Sequence, residues 1–179
     1  MEEISLHQDQ LRPIFESAWE AKISWDPEGW TKEVPDRMLC RDTALSIQKI
    51  FGWDILCQKI YIHNSSEVLS KFAQRSNRTI LWITNHYSNI LPIEQEQVNI
   101  DITSKQLEHR WDILFGKKRV VWGNHEQILL FIESMIGKKR YASYHLLNQK
   151  VTHQLAVVFH CQPRDIQHYL QTKKIGLKK

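Results

Sequence analysis

The run that most constrains this chain is residues 37–57, RMLCRDTALSIQKIFGWDILC, because it holds a turn, a helix start, a helix stop and a strand. Ala44, Ile47, Gln48 and Phe51 follow Cys40 at i+4, i+7, i+8 and i+11, so one helical face continues directly from the thiol. Asp42 lies in the first turn, where a carboxylate suits the positive end of the helix dipole. Gly52 closes the helix as the residue type that accepts the positive φ of a C-terminal cap. A thiol at a helix start has two readings. Helix N-termini stabilise thiolates, and reactive cysteines are found there. Cysteine is also among the most buried residue types and packs as a small hydrophobe. Both readings stay open on this stretch alone.

At 179 residues the chain is long enough for one domain with a real core. A hydrophobic content of 42% with seven tryptophans argues against disorder. Three cysteines without C-x-x-C spacing argue against a disulfide framework and a zinc ribbon, and suit a reducing compartment. The acidic start MEEISLHQDQLRPIF lacks the apolar core of a signal peptide, and no run reaches the length of a membrane span. The expectation is a cytoplasmic protein with no membrane attachment. The net charge of +4 gathers in Lys117-Lys118-Arg119, Lys138-Lys139-Arg140 and the tail lysines. That excess permits contact with nucleic acid or acidic partners, but it is more often a solvated surface, so nucleic acid is not favoured. Six scattered glycines form no phosphate loop, and His125-Glu126, His160-Cys161 and His168 do not make up a metal-ligand pattern, so no cofactor or metal is expected.

Taken in order, residues 8–22 carry Leu11, Ile14, Phe15, Ala18 and Trp19 at helical spacing, with Trp19 facing inward. Residues 24–36 are a breaker-rich loop whose Trp25 and Trp30 fold over the core beside Cys40, as cover or as one wall of a cleft. After the Cys40 helix, residues 54–62 form a strand and residues 65–74 a short helix. Residues 79–84, TILWIT, read as a buried strand that runs on into NHYSNILP or hands over to an adjacent strand. Beyond the polar turn 94–97, residues 98–103 alternate, with Val98, Ile100 and Ile102 on one side. These two strands make an antiparallel hairpin. Thr103 or Ser104 caps a short helical segment holding Leu107 and Trp111. Residues 117–123 are a basic loop or edge segment, and 124–135 a helix. Tyr141, Tyr144, Leu147, Val151, Leu155 and Val158 mark the longest helix of the second half, broken by Pro163. The order is α, mixed antiparallel sheet, α: an α+β domain over residues 1–160, with 161–179 as a C-terminal extension ending in a basic, mobile tail.

A nucleophilic thiol needs a base and a group that orients the base. His86 ends the TILWITN strand and Asp101 lies on its hairpin partner, fifteen residues away around a polar turn. On one sheet face they are neighbours, so His86 can take the Cys40 proton while Asp101 holds its tautomer. The bland alternatives are that His86 caps a hairpin and that Asp101 pairs with Lys105. With nine histidines and twenty acids, a Cys/His/Asp set is easy to draw.

At these residues the chain resembles the YunG-like family of small bacterial proteins, which have a papain- or transglutaminase-like cast. The family pattern runs from a leading tryptophan helix and a tryptophan-proline loop to a G-Q-C-a-x-T-A-L-x-x-Q motif. An H-Y-W-N segment, a D-L-T-x-x-Q segment and a closing R-Y-x-x-L follow. This chain has Trp19, Trp30 and Pro35, then Cys40-Arg41-Asp42-Thr43-Ala44-Leu45…Gln48, His86-Tyr87-Ser88-Asn89, Asp101-Ile102-Thr103…Gln106 and Arg140-Tyr141…Leu147, in that order. The resemblance spans about residues 11–158. It implies a Cys-bearing helix packed on a small antiparallel sheet with helices at both ends, and puts Cys40, His86 and Asp101 at the presumptive triad positions. Leu39 stands where the family has glutamine, Met38 where it has glycine and Ser88 where it has tryptophan. Leu39, Trp30 and Asn89 are the candidate cleft residues. The expectations are therefore cysteine-dependent acyl transfer on a protein or peptide, or a degraded site serving as a binding module for an acidic protein or nucleic acid.

Overall fold

A computed structural model of the chain describes residues 4–5, 8–24, 28, 31–33, 39–62, 82–93, 96–104, 107, 113–121, 126–127, 130, 141–172 and 175–176. In chain order its elements are β1 (Ile4–Ser5), α1 (Gln8–Ala18), α2 (Cys40–Phe51), β2 (Asp54–Ile62), β3 (Trp82–Ile93), β4 (Glu96–Ile100) and β5 (Ile113–Val121), then α3 (Tyr141–Val158), α4 (Ile166–Thr172) and β6 (Ile175–Gly176). Four antiparallel strands form one sheet in the order β4-β3-β2-β5, and β1 pairs with β6 in parallel at the chain ends. The architecture is α+β. No helix among the described residues is long and apolar enough to cross a membrane.

The sequence places α2 correctly at both ends. It starts at Cys40 and stops at Phe51, and Gly52 takes φ 78° while its N–H donates to the Gln48 carbonyl at 2.8 Å. An L side chain is strained at that φ, which is why glycine ends the helix. What periodicity understates is how deep α2 sits. Arg41 to Gln48, Ile50 and Phe51 are all buried, because β2 and β3 pack on it from one direction and α3 and α4 from another. An amphipathic helix shields one face; this one is enclosed.

Among the described residues two clusters fill the interior. The larger joins Leu11, Phe15, Ala18 and Trp19 on or beside α1 to Leu39, Ile47 and Ile50, to Leu91, Ile100 and Ile102, and to Leu147, Val151 and Leu155 of α3. The smaller holds Ala44 and Leu45 of α2, Ile55 and Cys57 of β2, Tyr87 of β3 and Tyr144 of α3. Cys40 and Val121 pack against its margin. Trp19 turns inward as its spacing predicts, at 3% exposure, and its Nε1–H donates to Thr43 Oγ1 of α2 at 3.2 Å. α1 and α2 are thereby tied together.

Several expected bounds shift. Residues 82–84 of TILWIT run on into NHYSNILP as one strand, β3, from Trp82 to Ile93, while residues 79–81 lie outside the described residues. β4 ends at Ile100, short of the expected Thr103. The cause is local: Asp101 Oδ1 accepts from both the backbone N–H and the hydroxyl of Thr103, each at 3.1 Å, which turns the chain out of the ladder. The basic segment from Lys117 is strand, on the edge of the sheet. In α3, Tyr144, Leu147, Val151 and Leu155 are buried as their spacing predicts, but Val158 is 52% exposed. Phe159, four residues after Leu155, packs against the core instead. Segment 161–179, expected as an extension, supplies α4, which buries Ile166 and Leu170 completely or nearly so and whose Gln171 donates to the Lys49 carbonyl of α2. Residues 126–127 and 130 of the expected 124–135 helix are helical, and the rest of it, the expected helix at 65–74, most of the tryptophan loop and the end of the tail lie outside the described residues.

Candidate active site

Three elements meet at Cys40. The thiol opens α2 at its positive end, where Leu39 holds the position before the helix with no side-chain capping bond. His86 lies within β3, in register with Gln58 of β2. Asp101 follows directly after β4, whose Ile100 pairs with Asn89. Because β4 ends there, Asp101 is free to turn beside the β3 segment that carries His86. The turn with Thr103 that shortens β4 is thus also what aims the carboxylate.

The geometry brings the three candidate catalytic residues together. His86 Nε2–H donates to Asp101 Oδ2 at 2.6 Å, a charge-assisted length. The Cys40 side chain is the second hydrogen-bonding partner of the same ring. With Nε2 engaged by Asp101, Nδ1 is the ring nitrogen left for the thiol. Asp101 spends its other oxygen on Thr103, so both carboxylate oxygens are held. His86 is 5% exposed, and Cys40 is half-buried as a free thiol. Burial of the imidazole pulls its pKa down, but hydrogen bonds to Asp101 and Cys40 and their charges outweigh that, leaving it pushed up to about 10. His86 is therefore an imidazolium at neutral pH, in contact with the sulfur on one side and a carboxylate on the other.

Other residues brace this arrangement, and sequence reasoning missed them. Arg12 of α1 donates through Nη1 to the Ile102 carbonyl at 2.6 Å, while its Nε donates to Glu16 at 2.6 Å. The guanidinium also lies 5.8 Å from the Trp19 ring centroid. Arg12 thus clamps the turn that carries Asp101. Tyr87 and Cys57, a cross-strand pair, share a hydrogen bond in the small core cluster, and the Tyr87 pKa is raised, first by burial and then by the charges of Cys57 and Cys40. Arg41 is bonded through Nε to the Oδ1 of Asp42 at 2.7 Å, with both groups buried. The Asp-x-Thr spacing was a legible turn signal. Nothing in local spacing links Arg12 to a residue ninety positions on.

Two of the three cleft candidates, Leu39 and Asn89, are buried. Leu39 is wholly buried in the larger core, and its carbonyl accepts the Thr43 N–H. Asn89 is also wholly buried and donates through Nδ2 to the Ala44 carbonyl at 3.0 Å and the Asp54 carbonyl at 3.4 Å, fastening α2 to the sheet. Trp30 lies outside the described residues. Ser88, at the family's tryptophan position, is buried and donates to Asn99 Oδ1 at 2.7 Å. Among the described residues no three His, Cys, Asp or Glu side chains gather as a metal site.

No curated protein and no solved structure matches the chain. The family model described as YunG protein matches residues 7–156, which takes in Cys40, His86, Asp101 and all of α1 to β5. The chain belongs to the YunG family.

Proposed function

We propose that this chain is a cysteine-dependent acyl-transfer domain of papain- and transglutaminase-like cast, acting on an amide or thioester by hydrolysis, deamidation or transamidation. The observation that carries the reading is the His86 ring held between Asp101 and Cys40 at the N-terminus of α2. The thiol proton passes to His86 Nδ1 as the Cys40 sulfur attacks the acyl carbon to form a C–S bond. His86 then returns that proton to the departing amine or thiol, leaving a thioester on Cys40. Water or an amine, deprotonated by His86, attacks the thioester, and the sulfur leaves. Asp101 holds the ring and stabilises its charge throughout. Leu39 supplies no side-chain donor for the developing oxyanion, so that task falls to the N–H groups of the first turn of α2.

Alkylation with iodoacetamide, followed peptide by peptide, tests the reading. Cys40 should react faster at neutral pH than Cys57 or Cys161, and His86→Ala should slow it. Equal rates at all three thiols, with no effect of His86→Ala, would remove the catalytic reading.

A second reading, an interaction module for an acidic protein or nucleic acid, draws on the exposed Lys117, Lys118 and Arg119 of edge strand β5 and on Phe115, 58% exposed beside them. It predicts a retained partner whose binding weakens with salt and with neutralisation of those three residues. No retention at low salt would count against it.

A further inference from the structure

Two buried groups beside the thiol have no part in the transfer itself, Tyr87 of β3 and Cys57 of β2. They form a cross-strand pair joined by a hydrogen bond between the phenol and the sulfur. Both lie in the small cluster with Ala44, Leu45, Ile55 and Tyr144, and Cys40 packs against that cluster. Tyr87 is 7% exposed and Cys57 2%. A phenol this deep keeps a hydrogen-bond partner, and here the partner is a sulfur, a weak donor and a weak acceptor.

The anchoring of α2 puts Cys40 above Tyr87. Asn89 follows Tyr87 on the same side of β3 and donates to the carbonyl of Ala44, one helical turn after Cys40. Four helical residues rise about 6 Å and two strand residues about 7 Å, so the steps along α2 and β3 match. The bond between Cys40 and His86, next to Tyr87, fixes the direction of travel. His86 and Tyr87 leave β3 on opposite sides, and the thiol meets both. It bonds to the imidazole, and across the cluster its charge acts on the phenol. Burial, and then the charges of Cys57 and Cys40, hold the Tyr87 pKa above the ordinary phenol range, so the group stays a neutral hydroxyl.

We infer that Tyr87 is a positioning residue for the nucleophile: held by the Cys57 thiol, its hydroxyl turns toward the Cys40 sulfur and supports the negative charge that the sulfur carries during attack. The Cys57 S–H donates to Tyr87 Oη, and the Tyr87 O–H points at Cys40. A hydroxyl fixed in a low-dielectric cluster is effective because it does not reorient as charge develops. The other titratable or charged groups around the sulfur are His86 and Asp101, Tyr144 of α3, Arg41 with Asp42 on α2, and Arg119 in the row beyond Cys57. Removing the Tyr87 hydroxyl changes none of them. This inference rests on the acyl-transfer reading of Cys40 and adds a group that acts through the nucleophile.

The pH dependence of Cys40 alkylation by iodoacetamide, read by peptide mass spectrometry on the intact chain, makes the test. Tyr87→Phe fills the same space without the hydroxyl. It should slow Cys40 about fivefold at neutral pH, the size of one ordinary hydrogen bond, and move the pH–rate curve up by about 0.7 of a pH unit. At the alkaline end, where thiols are fully ionised, the two rates should converge. Cys57→Ser keeps a donor for Tyr87 and should stay near the wild-type curve, whereas Cys57→Ala removes the donor and should give part of the shift. If Tyr87→Phe does not fold, Cys57→Ala decides in its place. Tyr144→Phe, in the same cluster, should leave the curve where it is. A curve that Tyr87→Phe leaves in place overturns the inference, as does an equal shift in Tyr144→Phe. If His86→Ala still slows Cys40 in that case, the acyl-transfer reading stands without Tyr87. If His86→Ala has no effect either, the nucleophile itself is removed.

Discussion

His86 Nε2 lies 2.6 Å from Asp101 Oδ2, and β4 stops one residue before the aspartate. If β4 continued, Asp101 would stay in the ladder opposite Ser88, one step on from the Ile100–Asn89 pair. The Thr103 bonds turn the chain out and swing the carboxylate toward the imidazole. Asp101→Asn keeps the shape and removes the charge. His86 should then titrate well below its raised value of about 10, toward the ordinary 6.5, when followed by NMR of the ring protons. Iodoacetamide alkylation of Cys40 at neutral pH should slow about tenfold, in line with one lost charge-assisted hydrogen bond.

The raised His86 pKa also ties stability to pH. A group whose pKa rises on folding contributes stability that is complete below its unfolded value, here 6.5, and that is lost as pH climbs through the folded value of about 10. The urea midpoint should therefore fall between pH 6.5 and pH 10. His86→Gln, which cannot titrate, should flatten the decline across that window, which paired urea titrations of the two proteins measure.

Arg12 holds the Asp101 turn from α1 through the Ile102 carbonyl. Arg12→Ala leaves that carbonyl without its charged donor and should cost about 1–3 kcal/mol. Arg12→Lys retains one charged donor but loses the second bond to Glu16 and the planar contact with Trp19, so it should recover only part of the loss. Urea unfolding of the three proteins gives the comparison.

Asn89 bonds to the Ala44 carbonyl from a wholly buried position. Asn89→Ala should destabilise by about 1–3 kcal/mol, because the fastening between α2 and the sheet goes and a small void opens. The change should appear as a lower denaturation midpoint at unchanged m-value.

Leu170 is 1% exposed, in a segment beyond the family match. Leu170→Ala should cost about 2–5 kcal/mol, as for any fully buried leucine. A loss within about 0.5 kcal/mol, the range of surface positions, would mean that α4 does not contribute to the core.

By itself the sequence determined the elements whose signals are local. The Cys40 start and Gly52 stop of α2, the Asp54–Ile62 strand and the core face of α3 from Tyr144 to Leu155 were legible, because caps, breakers and periodicity act within a turn or two. The pairing of His86 with Asp101 was legible too, since a hairpin makes residues fifteen apart into neighbours. Tertiary structure decided the rest. Leu39 reads as a cleft residue beside the thiol but is closed into the core, because the preceding helix and the sheet converge on it. Val158 fits the helical stripe but is exposed, because α3 has run past the packed layer and Phe159 closes it. Arg12 carries no local signal; the packing of α1 brings it to the turn that carries Asp101. Burial and long-range packing are properties of the assembled chain, and no spacing along the sequence encodes them.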